Sequence, residues 1–186
     1  MAKYAAFLRG INVGGQRVVK MEKLREIFTS AGMEAVKTYI QSGNVIFESR
    51  EADAATLELL IRQELSRSLG YEVPIFIRTI SQLEEIIKYD PFNGIAPTDE
   101  VKQYITFLSE EPTQKTELPV VSPAKDVEVI KIRNREAFSL CYKINGRFGA
   151  PNSFLEKKFG VAATSRYWTI ISNIISLVRP DASAGK

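Results

Sequence analysis

Two short stretches hold the residues best suited to grip a ligand. The first is Arg9-Gly10-Ile11-Asn12-Val13-Gly14-Gly15-Gln16-Arg17, followed closely by Lys20. Glycines that lead into a helix uncover backbone N–H groups and the positive end of the helix dipole, and Arg9, Arg17 and Lys20 add charge nearby. That combination suits an anion, most naturally a phosphate. The match to phosphate loops is loose. No Lys-Ser or Lys-Thr pair closes the segment, and Asn12 stands where the dinucleotide fingerprint has its second glycine. The same glycines would also serve a bulge or tight loop packing. The second stretch, Gln41-Ser42-Gly43-Asn44, has the composition of an ordinary hairpin turn, and only its place beside the first loop draws it into a site.

A third polar group is Thr164-Ser165-Arg166-Tyr167-Trp168. Taken as the start of a final helix over residues 166–178, it has Thr164 or Ser165 as cap. Arg166 then opposes the dipole and calls for a partner, either a protein carboxylate or a bound anion. Cys141, set in Phe138-Ser139-Leu140-Cys141-Tyr142, is expected to be a buried, inert thiol. The adjacent acids Glu84-Glu85 and Glu110-Glu111 diverge on any regular element and are expected to be solvated surface, not a catalytic dyad.

The residues that are missing narrow the chemistry further. There is no histidine among the 186 residues, so no Ser-His or Cys-His nucleophile and no imidazole metal ligand can form. One cysteine excludes an internal disulfide and a thiolate zinc site. No metal or cofactor is expected. A formal charge of +3 is too mild to argue for nucleic acid or membrane. No run approaches the ~20 apolar residues of a membrane helix, and the first residues lack a signal-peptide pattern, so the cytoplasm is the expected compartment.

The elements that must position these residues follow from periodicity. Residues 4–9 suit a buried strand. Val18, Met21, Leu24, Ile27 and Phe28 recur at helical spacing up to Gly32. Residues 36–41 and 44–48 form a hairpin around Ser42-Gly43. Asp53 caps a helix striped by Leu57, Leu60, Ile61, Leu65 and Leu69, and residues 73–77 form a strand whose Pro74 favours an edge. That order, β-α-β-β-α-β, is the ferredoxin-like unit. The second half predicts a helix from Ser81 to Tyr89, strands over 103–109, 127–132 and 137–143, a loop over 110–125, a short helix from Pro151 to Gly160 and the final helix.

The expected fold class is α+β. A ferredoxin-like subdomain covers residues 1–80, a second, diverged α+β subdomain packed on its sheet covers 81–180, and a disordered tail follows Pro180 over 181–186. In such a path the loop after the first strand and the turn between the second and third share one end of the sheet. Because the third strand lies beside the first, the two loops are neighbours.

At these segments the chain resembles the mainly bacterial family known as domain of unknown function 1697. The likeness rests on Leu8-Arg9-Gly10-Ile11-Asn12-Val13-Gly14-Gly15, on Thr38-Tyr39-Ile40-Gln41-Ser42-Gly43-Asn44-Val45-Ile46-Phe47, and on Ala163-Thr164-Ser165-Arg166-Tyr167-Trp168. It implies two α+β subdomains of ferredoxin-like character, an unassigned activity, and no cofactor or catalytic residue to carry over. In the third motif Ser165 and Tyr167 replace a threonine and an asparagine of the family pattern.

Three functions follow as expectations. The first is a site for a phosphorylated small molecule or nucleotide, lined by Arg9, Asn12, Gly14, Gly15, Arg17, Gln41, Ser42 and Asn44, with Arg166 closing it from the second half. The second is an RNA- or single-strand-binding module with Phe7, Tyr39 and Phe47 as stacking candidates. It lacks the basic-aromatic run such domains place on their third strand. The third is a structural or interaction role, with apolar edges supporting a homo-oligomer.

Overall fold

The strand β1 (Ala2–Leu8) is flanked on both sides by hydrogen-bonded neighbours, and its residues from Tyr4 to Leu8 are all buried, so its apolar sequence runs without alternation. The structure, a computed structural model, describes residues 1–15, 17–113 and 116–179. After β1 come α1 (Met21–Ser30), β2 (Glu34–Tyr39), β3 (Asn44–Ser49), α2 (Ala54–Leu69), β4 (Ile75–Thr79) and α3 (Ile80–Tyr89). The strands form an antiparallel sheet in the order β2-β3-β1-β4. Pro74 sits just before the edge strand β4, where a missing donor is tolerated.

Tyr4, Ala6 and Leu8 of β1 pack with Phe47, Ile75 and Ile77 of the neighbouring strands and with Leu24, Ile27, Phe28, Leu57, Ile61 and Leu65 of the two helices. Val18 and Leu60, expected in the helical stripes, are exposed: the helix begins only at Met21, and Leu60 falls on the outer side of α2. Asp53 caps α2 through a 2.9 Å bond from the Thr56 N–H, as its position foretold. The cap of α3 is different. Thr79 Oγ1 accepts the Gln82 N–H at 3.0 Å and Gln82 Oε1 accepts the Thr79 N–H at 2.8 Å, a reciprocal capping box in place of the expected Ser81 cap.

The chain continues with β5 (Val101–Leu108), β6 (Val120–Val121), β7 (Val127–Arg133), β8 (Glu136–Ile144), β9 (Arg147–Phe148), α4 (Pro151–Phe159), β10 (Ala163–Tyr167) and α5 (Trp168–Val178). Their strands form a second antiparallel sheet, β10-β5-β8-β7-β6, with β9 on β8. Two compact units result, Met1–Glu84 with the chain from Leu177 onward, and Glu85–Ser176. The short strands β6 and β9 were not foreseen. The final helix starts at Trp168, two residues later than expected, because 163–167 pairs with β5 along its length and Ser165 Oγ meets Thr106 Oγ1 at 2.8 Å. Thr164 and Ser165 therefore cap nothing, and Arg166 stands in a strand, not against a helix dipole. The stop at Pro180 and the tail at 181–186 lie outside the described residues.

The two units share one wiring. Reading β10-β5-β8-β7 against β4-β1-β3-β2 matches strand for strand, with α4 in the place of α2. The ends match in detail. Leu8 N–H donates to the Gly43 carbonyl at 2.8 Å and Arg9 N–H to the Pro74 carbonyl at 2.9 Å; Leu108 N–H donates to the Arg135 carbonyl and Ser109 N–H to the Ala162 carbonyl, both at 2.9 Å. Each fourth strand carries a buried arginine, Arg78 and Arg166, whose Nη1 donates to the carbonyl of the preceding residue at 2.8 Å. Where the first unit has α1, the second has a connection that among the described residues holds β6 alone.

Candidate functional site

The first motif folds around the amide of Asn12. Its Oδ1 accepts the Val19 N–H at 2.7 Å, and its Nδ2 donates to the Val19 carbonyl at 3.1 Å and to the Gln41 carbonyl at 2.9 Å. A side chain here plays the part of a peptide group, pairing both ways with Val19 and tying the loop to the β2–β3 turn. Asn12 adopts φ 57°, a left-handed backbone that asparagine tolerates better than most residues. The two motifs thus meet at one end of the sheet, as the chain path implied.

The turn is built just as tightly. Asn44 is fully buried, and its Nδ2 donates to the Tyr39 carbonyl at 3.1 Å and to Ser42 Oγ at 2.9 Å. Gly43, at φ 72°, presses on β1: a Cβ there would lie 3.0 Å from Leu8 Cβ. Asn12, Gly43 and Asn44 are therefore builders of the rim, and the amides of Asn12 and Asn44 are committed to the protein. Arg17 lies over the Tyr71 ring, its Cζ 4.8 Å from the centroid, and beside Gly10. Gly14 and Gly15 are exposed with positive φ, and a Cβ at either would meet nothing within 4 Å, which leaves their backbone open to approach.

Between this loop and the start of α1 lies a cleft of about 380 Å³, lined by Asn12, Val18, Val19, Lys20, Met21, Glu22 and Gln41. Of the expected residues, Asn12 and Gln41 line it. Lys20 takes the N-cap position of α1 and offers no side-chain hydrogen bond to the first turn. Glu22 supplies the first turn's negative charge. Its carboxyl is held below the usual range chiefly by a hydrogen bond from its own backbone N–H, with Arg25 adding a bond and an ion pair at 3.3 Å. Lys20, Met21 and Glu22 were not in the expected lining. An acidic residue in the first turn of a helix fed by a glycine loop was the available signal for Glu22. Val13 and Val18 stand exposed on the same loop at 67% and 72%.

Arg166 lies in the second unit, buried in β10. Its Nη1 donates to Thr164 Oγ1 at 2.9 Å, and burial brings its guanidinium down to about 10. Cys141 is buried and its thiol is pushed up to about 12 by that burial, so it is poorly suited to act as a nucleophile. Glu84 pairs with Arg179 at 2.9 Å and forms no dyad with Glu85. Phe7 and Phe47 are fully buried, so neither can stack a base from an open sheet face. Among the described residues no group of acids and cysteine could hold a metal ion, and no helix is long and apolar enough to cross a membrane.

The whole fold is similar to that of the conserved bacterial protein SP0830 from Streptococcus pneumoniae, with a TM-score of 0.67 at 19% identity over 96% of this chain and 99% of that one. No curated protein matches. A family model described as a protein of unknown function, DUF1697, matches residues 1–138, the span that contains both rim motifs and the cleft between them. The chain belongs to the DUF1697 family.

Proposed function

We propose that the cleft at the rim of the first sheet binds a small anionic molecule, a phosphate ester or nucleotide, on a unit we read as ferredoxin-like. The observation that carries this reading is the cleft of about 380 Å³ opening onto the start of α1, whose N-cap side chain makes no hydrogen bond to the first turn and whose Glu22 N–H is met by its own carboxylate. Lys20 lines it, Arg17 stands on the same loop, and Gly14 and Gly15 offer bare backbone. Val18, Val19 and Met21 add an apolar wall suited to the uncharged part of such a ligand. The supporting shell is the bonded frame of Asn12, Gly43 and Asn44, which fixes the rim. Such a binder accords with a reducing compartment such as the cytoplasm, where a lone buried thiol stays reduced.

Glu22 sets the test. Its carboxylate shares the first turn with any arriving anion, so Glu22→Gln should tighten phosphate binding, by about threefold for an exposed charge, and Lys20→Gln should weaken it by a similar factor. Calorimetric titration with inorganic phosphate and with nucleoside monophosphates measures both. Absence of binding at this rim ends the reading. Weaker binding by Glu22→Gln also overturns it, because the ligand would then be a cation or a hydroxyl donor to that carboxylate.

A further inference from the structure

A one-residue irregularity in β7 brings two cations onto one exposed aromatic ring. Up to Val129 the strand keeps step with β8, Val127 opposite Cys141 and Val129 opposite Ser139; the next pair is Lys131 with Phe138, so Ile130 is the extra residue of a bulge. In an unbroken strand residues 127, 129, 131 and 133 would share a face, here the face on which Val127 and Val129 pack with Cys141 and Leu155. One inserted residue reverses the faces. Ile132 takes the inward place, joining Ala137 against that core, and Lys131 and Arg133 emerge on the other side beside Phe138. β6 pairs only with Glu128 and Val129, so the flank beyond the bulge has no β6 partner.

Both cations gather on Tyr89. Lys131 Nζ lies 5.4 Å and Arg133 Cζ 4.8 Å from the ring centroid. The ring is 39% exposed and packs against Phe138 at 6.1 Å. A ring quadrupole attracts each cation but neutralises neither, and the two repel each other. Among the described residues neither cation forms an ion pair; the nearest acids along the chain and the ladder are Asp90, which follows Tyr89, Glu128, which precedes Lys131 by three residues and accepts the Tyr142 hydroxyl, and Glu136, which stands opposite Arg133. Charges and a bulge on an exposed strand also discourage edge-to-edge pairing. Edge protection alone gives no reason for both charges to converge on one aromatic ring.

We propose that Tyr89, Lys131 and Arg133 form a second anion site, in the second unit, that takes the terminal phosphate of a phosphate monoester. Lysine supplies a point charge, the guanidinium a planar fork that meets two phosphate oxygens, and the tyrosine ring a fixed base for both. Two cations on one ring match the near-dianionic monoester better than a singly charged phosphodiester. The site is independent of the cleft in the first unit.

The test follows the Tyr89 ring and Arg133 side-chain signals by nuclear magnetic resonance. Titrants are inorganic phosphate and then one short oligonucleotide with and without a 5′-phosphate. Saturable shifts at Tyr89 and Arg133 are expected, with the phosphorylated strand preferred by about tenfold, and Arg133→Gln weakening phosphate at this site by about tenfold while Lys37→Gln leaves it unchanged. Equal phosphate affinity in Arg133→Gln overturns the proposal. So does equal binding of the two strands, which assigns the contact to the backbone diesters. Self-association of a Lys131→Gln, Arg133→Gln double variant with unaltered phosphate affinity would reduce the cluster to edge protection.

Discussion

Asn12 and Gly43 show how the most motif-like residues of a sequence can serve the frame and not the ligand. Asn12 commits both amide atoms to Val19 and Gln41, and Gly43 holds the turn at φ 72° with β1 at its back. Gly43→Ala would place a methyl group 3.0 Å from Leu8 Cβ in a left-handed backbone. Each term is unfavourable, and together they should destabilise the unit by about 2 kcal/mol. A denaturant midpoint unchanged from that of the parent protein would show that the turn tolerates a side chain and that the rim is softer than described. The sequence pointed to these positions but not to their task, because an amide that binds a ligand and one that binds a neighbouring peptide are the same residue on paper.

At the scale of elements, legibility depended on whether local pattern or remote pairing decided the outcome. The α1 and α2 helices and the hairpin over Ser42-Gly43 were legible, since each is specified within a few residues by spacing or by Asp53. The start of α5 was not. Thr164 to Tyr167 carries cap-like hydroxyls, yet its backbone groups find partners on β5, some sixty residues earlier in the chain. The bulge at Ile130 was equally hidden, since a shift of one residue becomes visible only against the partner strand. For α3 the signal was present in Thr79-Ile80-Ser81-Gln82, whose first and fourth residues make the capping box. Thr79→Ala should therefore cost about 1 kcal/mol, while Ser81→Ala should cost little. The reverse order in thermal unfolding would return the cap to Ser81.

At the scale of the whole molecule, the recurrence of one wiring in both units is visible only in the pairing. No repeat is evident in the sequence, since the matched positions Leu8 with Leu108 and Arg78 with Arg166 are surrounded by unrelated residues. The first unit has α1 and a long glycine loop where the second has β6, and it is at this difference that the cleft of the first unit opens. Native-state hydrogen exchange should make the recurrence measurable. The amides of Leu8, Arg9, Leu108 and Ser109, each bonded to a turn or pre-strand carbonyl, should exchange far more slowly than those of Gly14 and Gly15. Free exchange at Arg9 and Ser109 would mean that the shared end bonds do not persist in solution.

The lone tryptophan has a practical consequence for anyone measuring these effects. Trp168 opens α5 with its indole edge-on to Phe92 at 5.4 Å and to Phe138 at 6.2 Å, all three within the second unit. Its intrinsic emission is thus an optical gauge of one half of the chain. A folding curve followed by that light alone would overlook a first unit that had already come apart, and only a second, backbone-wide signal recorded alongside it tells a concerted melt from a staged one.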